Sequence, residues 1–96
     1  MHYLLFYDYV EDFVAKRAPL RAAHFELARN SFDRGEMVIA GAYAEPDHGA
    51  ILVFRSEAGA EDFANSDPYV KNGVVTKWEV KKWMTVIGDG AEMPQL

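Results

Sequence analysis

Between Tyr3 and Val10 both sets of alternating positions are apolar, Tyr3, Leu5, Tyr7 and Tyr9 on one side and Leu4 and Phe6 on the other, which predicts a strand buried on both faces. Glu11 to Lys16 is a short polar link with room for a helical turn. From Pro19, suited to a first helical position because its missing N–H would be unpaired there, the spacing predicts a helix to about Arg34, stopped by Gly35. The apolar arc of this helix is Leu20, Ala23, Phe25, Leu27, Ala28 and Phe32, with Glu26, Arg29, Asn30 and Asp33 opposite. Met37–Ala44 and Ala50–Arg55 are β-prone runs joined by a Pro, Asp and Gly loop, a hairpin pattern. Ser56 is placed to cap a helix over Glu57–Ser66 that ends before Pro68. After Asn72-Gly73 a long strand is expected over Val74–Ile87, with Trp78, Val80 and Met84 on one alternation and a slip near Lys81-Lys82 that brings in Trp83.

This order, β-α-β-β-α-β, is the ferredoxin-like pattern: an α+β fold with two helices on one face of a four-stranded antiparallel sheet. Residues 1–87 form the domain, and 88–96 read as a loose C-terminal tail. Ile51 and Val53 are as apolar as Leu52 and Phe54, so the face without helices is also apolar. A bare apolar face of that size exceeds what monomers usually expose, and a symmetric homodimer through the open sheet face is expected. Closure by the tail is the weaker alternative, because the tail has too little apolar surface.

Length and charge narrow the function. Ninety-six residues make one domain, and 15 acidic against 10 basic residues, without a Lys/Arg cluster, argue against a nucleic-acid partner. Cysteine is absent, which removes disulfides, thiolate nucleophiles and Cys-based metal sites. Met1–Val10 contains His2 and Asp8 without a basic start, so it does not read as a signal peptide. No apolar run approaches a membrane span, and the expected location is cytoplasmic.

Candidate chemistry lies where the pattern is broken. His24 falls in the middle of the helix's apolar arc, Arg21 falls on the same arc, and Arg17 joins it if the helical path extends back through Pro19. Such groups must be paired, wet or functional, since burying one unpartnered costs about 1–3 kcal/mol. The second constellation is Asp67-Pro68-Tyr69, where Asp67 reads as an N-cap. A carboxylate has two oxygens, so capping leaves room for a histidine partner as well. On the residues alone, His24 is more often a satisfied core histidine than a catalyst.

Lys16-Arg17, Arg21-Ala-Ala-His24, Gly41 after an apolar strand, Ser66-Asp67-Pro68-Tyr69-Val70 and Gly73-Val74, in this order and spacing, resemble the YCII-related (YciI-like) family. The resemblance covers nearly the whole chain to about Ile87, with Ala42 standing where a proline is common. It implies a dimeric ferredoxin-like α+β barrel and an active-site His-Asp pair that maps to His24 and Asp67. One branch of the family is associated with dehydrochlorination of hydroxylated aromatic rings.

The inventory suits general acid-base chemistry on a small polar or aromatic ligand, an elimination or isomerisation that needs no cofactor. His24 would move the proton and Asp67 would fix its tautomer. Arg21, and with it Arg17, would hold an anionic or oxygen-rich substrate, although Arg17 reads more readily as a structural or solvated residue, and Tyr69 would donate from its hydroxyl or pack. Arg21 serves equally as an ion-pair partner across the dimer. His2 and His48 form no metal spacing with His24, and no metal is expected. Tyr3, Tyr7, Tyr9, Trp78 and Trp83 read as core and dimer contacts more than as a stacking platform, with the lining of an aromatic substrate pocket by part of the group as the alternative. A non-catalytic metabolite-binding or regulatory module is the alternative function, and a purely structural assembly domain the third.

Overall fold

The computed structural model describes residues 1–92. Its elements are β1 (His2–Tyr9), α1 (Phe13–Arg17), a 3-10 turn (Ala18–Leu20), α2 (Arg21–Asp33), β2 (Met37–Ala42), β3 (Gly49–Phe54), α3 (Glu57–Ser66), α4 (Pro68–Lys71) and β4 (Val75–Trp83). All pairings are antiparallel, in the order β2-β3-β1-β4. This is the ferredoxin-like α+β arrangement. No helix among the described residues is long and apolar enough to cross a membrane.

Local signals set several boundaries as expected. Ser56 accepts a hydrogen bond from the Gly59 N–H at 3.0 Å and starts α3, and Gly35, at φ 79°, stops α2. Pro19 does not open α2. It lies inside the 3-10 turn that joins α1 to α2, because without an N–H it offers no i→i−4 bond and suits the junction of two short helical paths.

The strands need two corrections. The irregularity expected at Lys81-Lys82 is absent, for these residues pair in register with Leu4 and Tyr3. The shift lies at the other end, between Asp8 and Tyr9, where Thr76 is the extra residue. Trp83 reaches the open face by ordinary alternation, opposite His2. β4 also ends at Trp83 instead of Ile87, since β1 begins at His2 and offers no further partner.

Leu5, Tyr7, Leu52 and Phe54 form the sheet's buried inner layer against Ala60, Phe63 and Ala64 of α3 and Tyr69 of α4. α2 buries a narrower stripe than its pattern suggests. His24 and Ser31 are buried, Leu27 and Ala28 half-buried, and Phe25 and Phe32 are exposed on its flank. On the sheet's other face Leu4, Phe6 and Ile51 are half-buried and Ile39 is 66% exposed. Lys81 lies over the Phe6 ring, with Nζ 5.6 Å from its centroid.

The segment after β4 folds back over one end of this face. Thr85 and His2 Nδ1 are hydrogen-bonded at 2.8 Å, and the amino terminus donates to the Gly90 carbonyl at 3.1 Å. Met84 and Ile87 remain exposed, the latter at 91%. Residues 93–96 of the expected tail lie outside the described residues.

One position tests the packing of the hairpin on the central strand. A Cβ at Gly49 would stand 2.6 Å from both the Tyr7 carbonyl oxygen and Tyr43 Cε2. Gly49→Ala should therefore lower stability by about 1–3 kcal/mol in a denaturant titration. An unchanged midpoint would show that the strand and the Tyr43 ring yield freely.

Candidate functional site

The site grows out of a break between two helices. Pro68 cannot continue α3 and disfavours helical backbone at the residue before it, so Asp67 is extended, at φ −70° and ψ 122°. Asp67 thus ends α3, with its N–H bonded to the Phe63 carbonyl, and caps α4. That geometry turns its side chain inward to full burial, 0% exposed.

A buried carboxylate must have its oxygens satisfied, and here three donors converge on it. Oδ1 accepts from the Tyr69 N–H at 3.0 Å and is 2.8 Å from His24 Nδ1, and Oδ2 accepts from the Tyr7 hydroxyl at 2.7 Å. An ionised carboxylate only accepts, so Nδ1 of His24 carries the proton in this pair. In the neutral ring, Nε2 is then the free base.

The imidazole is held in plane as well as by its edge. The Tyr69 ring stacks on it, with centroids 3.8 Å apart and planes 4° from parallel, while Phe63 and Phe25 meet it edge-on. His24 lies in the first turn of α2 and faces a cavity of about 290 Å³ between that helix and the sheet. The cavity exists because the strands beneath it carry small residues: Ala40 and Ala42 on β2 and Ala50 on β3, beside Tyr7 on β1.

Arg17 and Arg21 line the same cavity. Each guanidinium sits 5.2 Å from an aromatic centroid, Arg17 over Phe13 and Arg21 over Phe25. Tyr9 also lines the cavity, and its ring meets Tyr69 edge-on with centroids 6.4 Å apart. Among the described residues no three His, Asp or Glu side chains gather as a metal-ligand set.

Burial disfavours phenolate throughout this cluster. It drives the Tyr7 hydroxyl far above the ordinary range, with the Asp67 carboxylate adding to the effect. Tyr9 is pushed up to about 12, chiefly by burial and then by Tyr69, against the opposing pull of Arg17 and Arg21. Tyr69 is raised by burial, again opposed by the two arginines.

The model of the YCII-related domain matches residues 1–84. The chain belongs to the YCII-related family. Among solved structures, 5-chloro-2-hydroxyhydroquinone dehydrochlorinase (TftG) from Burkholderia phenoliruptrix AC1100, in complex with 2,5-dihydroxybenzoquinone, superposes with a TM-score of 0.73 at 18% identity, over 96% of this chain and 100% of that one. This YCII-related chain and the dehydrochlorinase thus share a fold. None of the curated proteins matches the chain.

All five residues singled out from the sequence of this YCII-related protein, His24, Asp67, Arg21, Arg17 and Tyr69, come together around the one cavity, Asp67 just behind its wall. Tyr7 and Tyr9 stand in the sequence only within the aromatic group that packs the core or lines a pocket, with no role marked for their hydroxyls. The available signal was chemical: a tyrosine on the doubly buried strand needs a partner for its hydroxyl, and Tyr7 finds it in Asp67.

Tyr7→Phe removes only that donor and leaves a fully buried carboxylate oxygen unpaired. It should cost about 1–3 kcal/mol in stability, read by chemical denaturation, although the lost atom is a single oxygen. A neutral result would mean that Oδ2 finds another donor.

The raised phenols predict an alkaline limit. Their folded values exceed the ordinary 10.0, so the stabilisation from holding them protonated is complete below that pH and disappears as pH rises through the folded values. For Tyr9 the window is 10.0 to about 12. In an ultraviolet titration Tyr9 should ionise near the top of that window and Tyr7 only as the chain unfolds. Ionisation of all five tyrosines near 10 in the folded protein would contradict this.

Proposed function

We propose that this YCII-related chain is a small acid-base enzyme in which His24 Nε2 takes or delivers a proton on a small polar or aromatic ligand in the cavity, with Asp67 fixing the tautomer and stabilising the imidazolium. The observation that carries this reading is the 2.8 Å contact between His24 Nδ1 and a carboxylate that also accepts from the Tyr7 hydroxyl and the Tyr69 N–H. A core histidine needs one partner. This one has its tautomer set, its plane fixed by a stacked ring and its second nitrogen left for the cavity.

The elementary step is proton removal at a carbon or oxygen of the ligand. The freed electron pair either expels a leaving group from the adjacent carbon or is reprotonated at a second position. The first outcome is an elimination, the second an isomerisation. Arg21, Arg17 and Tyr69 bind the ligand and stabilise the charge that develops. The shared fold of a dehydrochlorinase supports this class of chemistry for the YCII-related family. The functional unit in this reading is a homodimer formed through the open sheet face, where Ile39 and Ile51 need a cover.

The test measures two properties separately. 2,5-dihydroxybenzoquinone serves as the binding probe and 5-chloro-2-hydroxyhydroquinone as the substrate, with deuterium exchange from solvent into ligand C–H positions as a second record of proton transfer. His24→Ala should lower kcat or exchange by about 10²–10⁴ while binding changes only a few-fold, and Asp67→Asn should lower the rate with binding retained. Saturable binding without exchange or turnover in the native protein would make the chain a metabolite-binding module instead.

A further inference from the structure

We propose that the cavity takes its ligand as an oxyanion, selecting the ionised form of a small acidic phenol, enol or carboxylic acid through the guanidiniums of Arg17 and Arg21. This rests on the cavity at His24 being the ligand site, as in the acid-base reading, but not on turnover.

The first ground is charge without compensation. The ion pairs among the described residues are His24 with Asp67, Arg34 with Glu36, and His48 with Glu11 and Asp47; Arg17 and Arg21 take part in none. Neither guanidinium has a side-chain hydrogen-bond partner among the described residues; each is held over an aromatic ring instead. No Asp or Glu lines the cavity, although the chain as a whole carries −5. Asp67, the carboxylate bonded to His24 behind the wall, keeps its charge within its three hydrogen bonds and offsets at most one of the two guanidiniums. The cavity wall is therefore positive on a negative protein. Arginine stays protonated at any working pH, so that charge is permanent.

The second ground is the imbalance of donors and acceptors. Tyr9 and Tyr69 both have their ionisation raised by burial, so at neutral pH their hydroxyls remain able to donate. With the two arginines they make a wall rich in donors, in which His24 Nε2 is the side-chain nitrogen free to accept. A neutral hydroxyl accepts from such a wall through its lone pairs but brings an O–H of its own, for which the wall offers few acceptors. A ligand with a negative oxygen satisfies the wall, and about 290 Å³ limits it to roughly one substituted ring.

Ionised binding also divides the labour. The arginines hold the oxygen charge, and the proton that His24 moves is a different one, on carbon or on a second hydroxyl. A base positioned beside an already ionised oxygen meets an electron-rich ligand whose negative charge stabilises the imidazolium formed by the transfer.

The probe is 4-nitrophenol, whose phenolate has its own visible absorption band, with 4-nitroanisole as the uncharged counterpart. The full chain should bind the phenolate at least about tenfold more tightly than the phenol, which appears as a drop of about one unit or more in the ionisation of the bound probe. Binding should weaken with salt, and 4-nitroanisole should bind no better than the phenol. Arg17→Ala and Arg21→Ala should each reduce the preference, and the double variant should abolish it. Both side chains lie outside the core, so folding can be checked by circular dichroism before the comparison.

Equal affinity for the two ionisation states, an unchanged preference in the double variant, or absence of saturable binding by either form overturns the inference. Its failure is separable from that of the acid-base reading. Phenolate preference without deuterium exchange removes catalysis and leaves the anion site, whereas exchange without charge preference does the reverse.

Discussion

The structure turns on keeping one carboxylate satisfied where water is absent. Asp67 is fully buried at the junction of α3 and α4, and each of its partners comes from a different part of the fold: Tyr7 from the central strand β1, His24 from α2, and the Tyr69 N–H from α4. A lone buried charge would cost several kcal/mol, and removing one partner of such a pair typically costs about 3–5 kcal/mol. The strand and the two helices therefore have to meet at this point with hydrogen-bond precision. The requirement that positions the fold is the same one that sets the imidazole. The arrangement leaves α2 with an unusual packing stripe in which a histidine and a serine hold the buried positions.

Local chemistry is what the sequence records best. Ser56 as a cap, Pro68 as a stop and Gly35 as a left-handed terminator each act within a few residues, and the boundaries they set agree with the structure. Features fixed by a distant partner were not legible. β4 stops at Trp83 because β1 starts at His2, a limit imposed by a strand about eighty residues away, and the bulge at Thr76 is a property of the β1–β4 register. The apolar arc of α2 failed for a related reason. Phe25 and Phe32 match the helical period, but Phe25 stands over the cavity and both rings flank an open groove along the edge strand β2 in place of a core surface.

The site divides along the same line. The Arg-x-x-His opening and the Asp-Pro-Tyr turn each stand out as short motifs, and their resemblance to the YCII-related pattern joined them across 43 residues that spacing alone could not bridge. Tyr7 lacked any such mark, because tyrosine on a buried strand is consistent with simple packing until its hydroxyl must be accounted for. The stacking of Tyr69 on His24 was equally invisible, since it depends on α4 placing a ring parallel to one on α2.

The two faces of the sheet show how one set of strands serves two ends. Under the helices, large residues on β1 and β3 make the core at one end, and at the other the small residues of β2 and β3 leave the cavity open. On the far face the side chains are apolar along much of their length, and the segment after β4 shields only the end near His2. A floor of alanines offers no side-chain polar contact, so the polar character of the cavity comes from its walls. Those walls hold two permanent cations, raised phenols that keep their protons, and a histidine whose outward nitrogen is the free acceptor. The carboxylate that sets the histidine lies behind the wall and offsets at most one of the two guanidinium charges, so the cavity side of this cluster keeps a positive excess although the buried pair includes an acid.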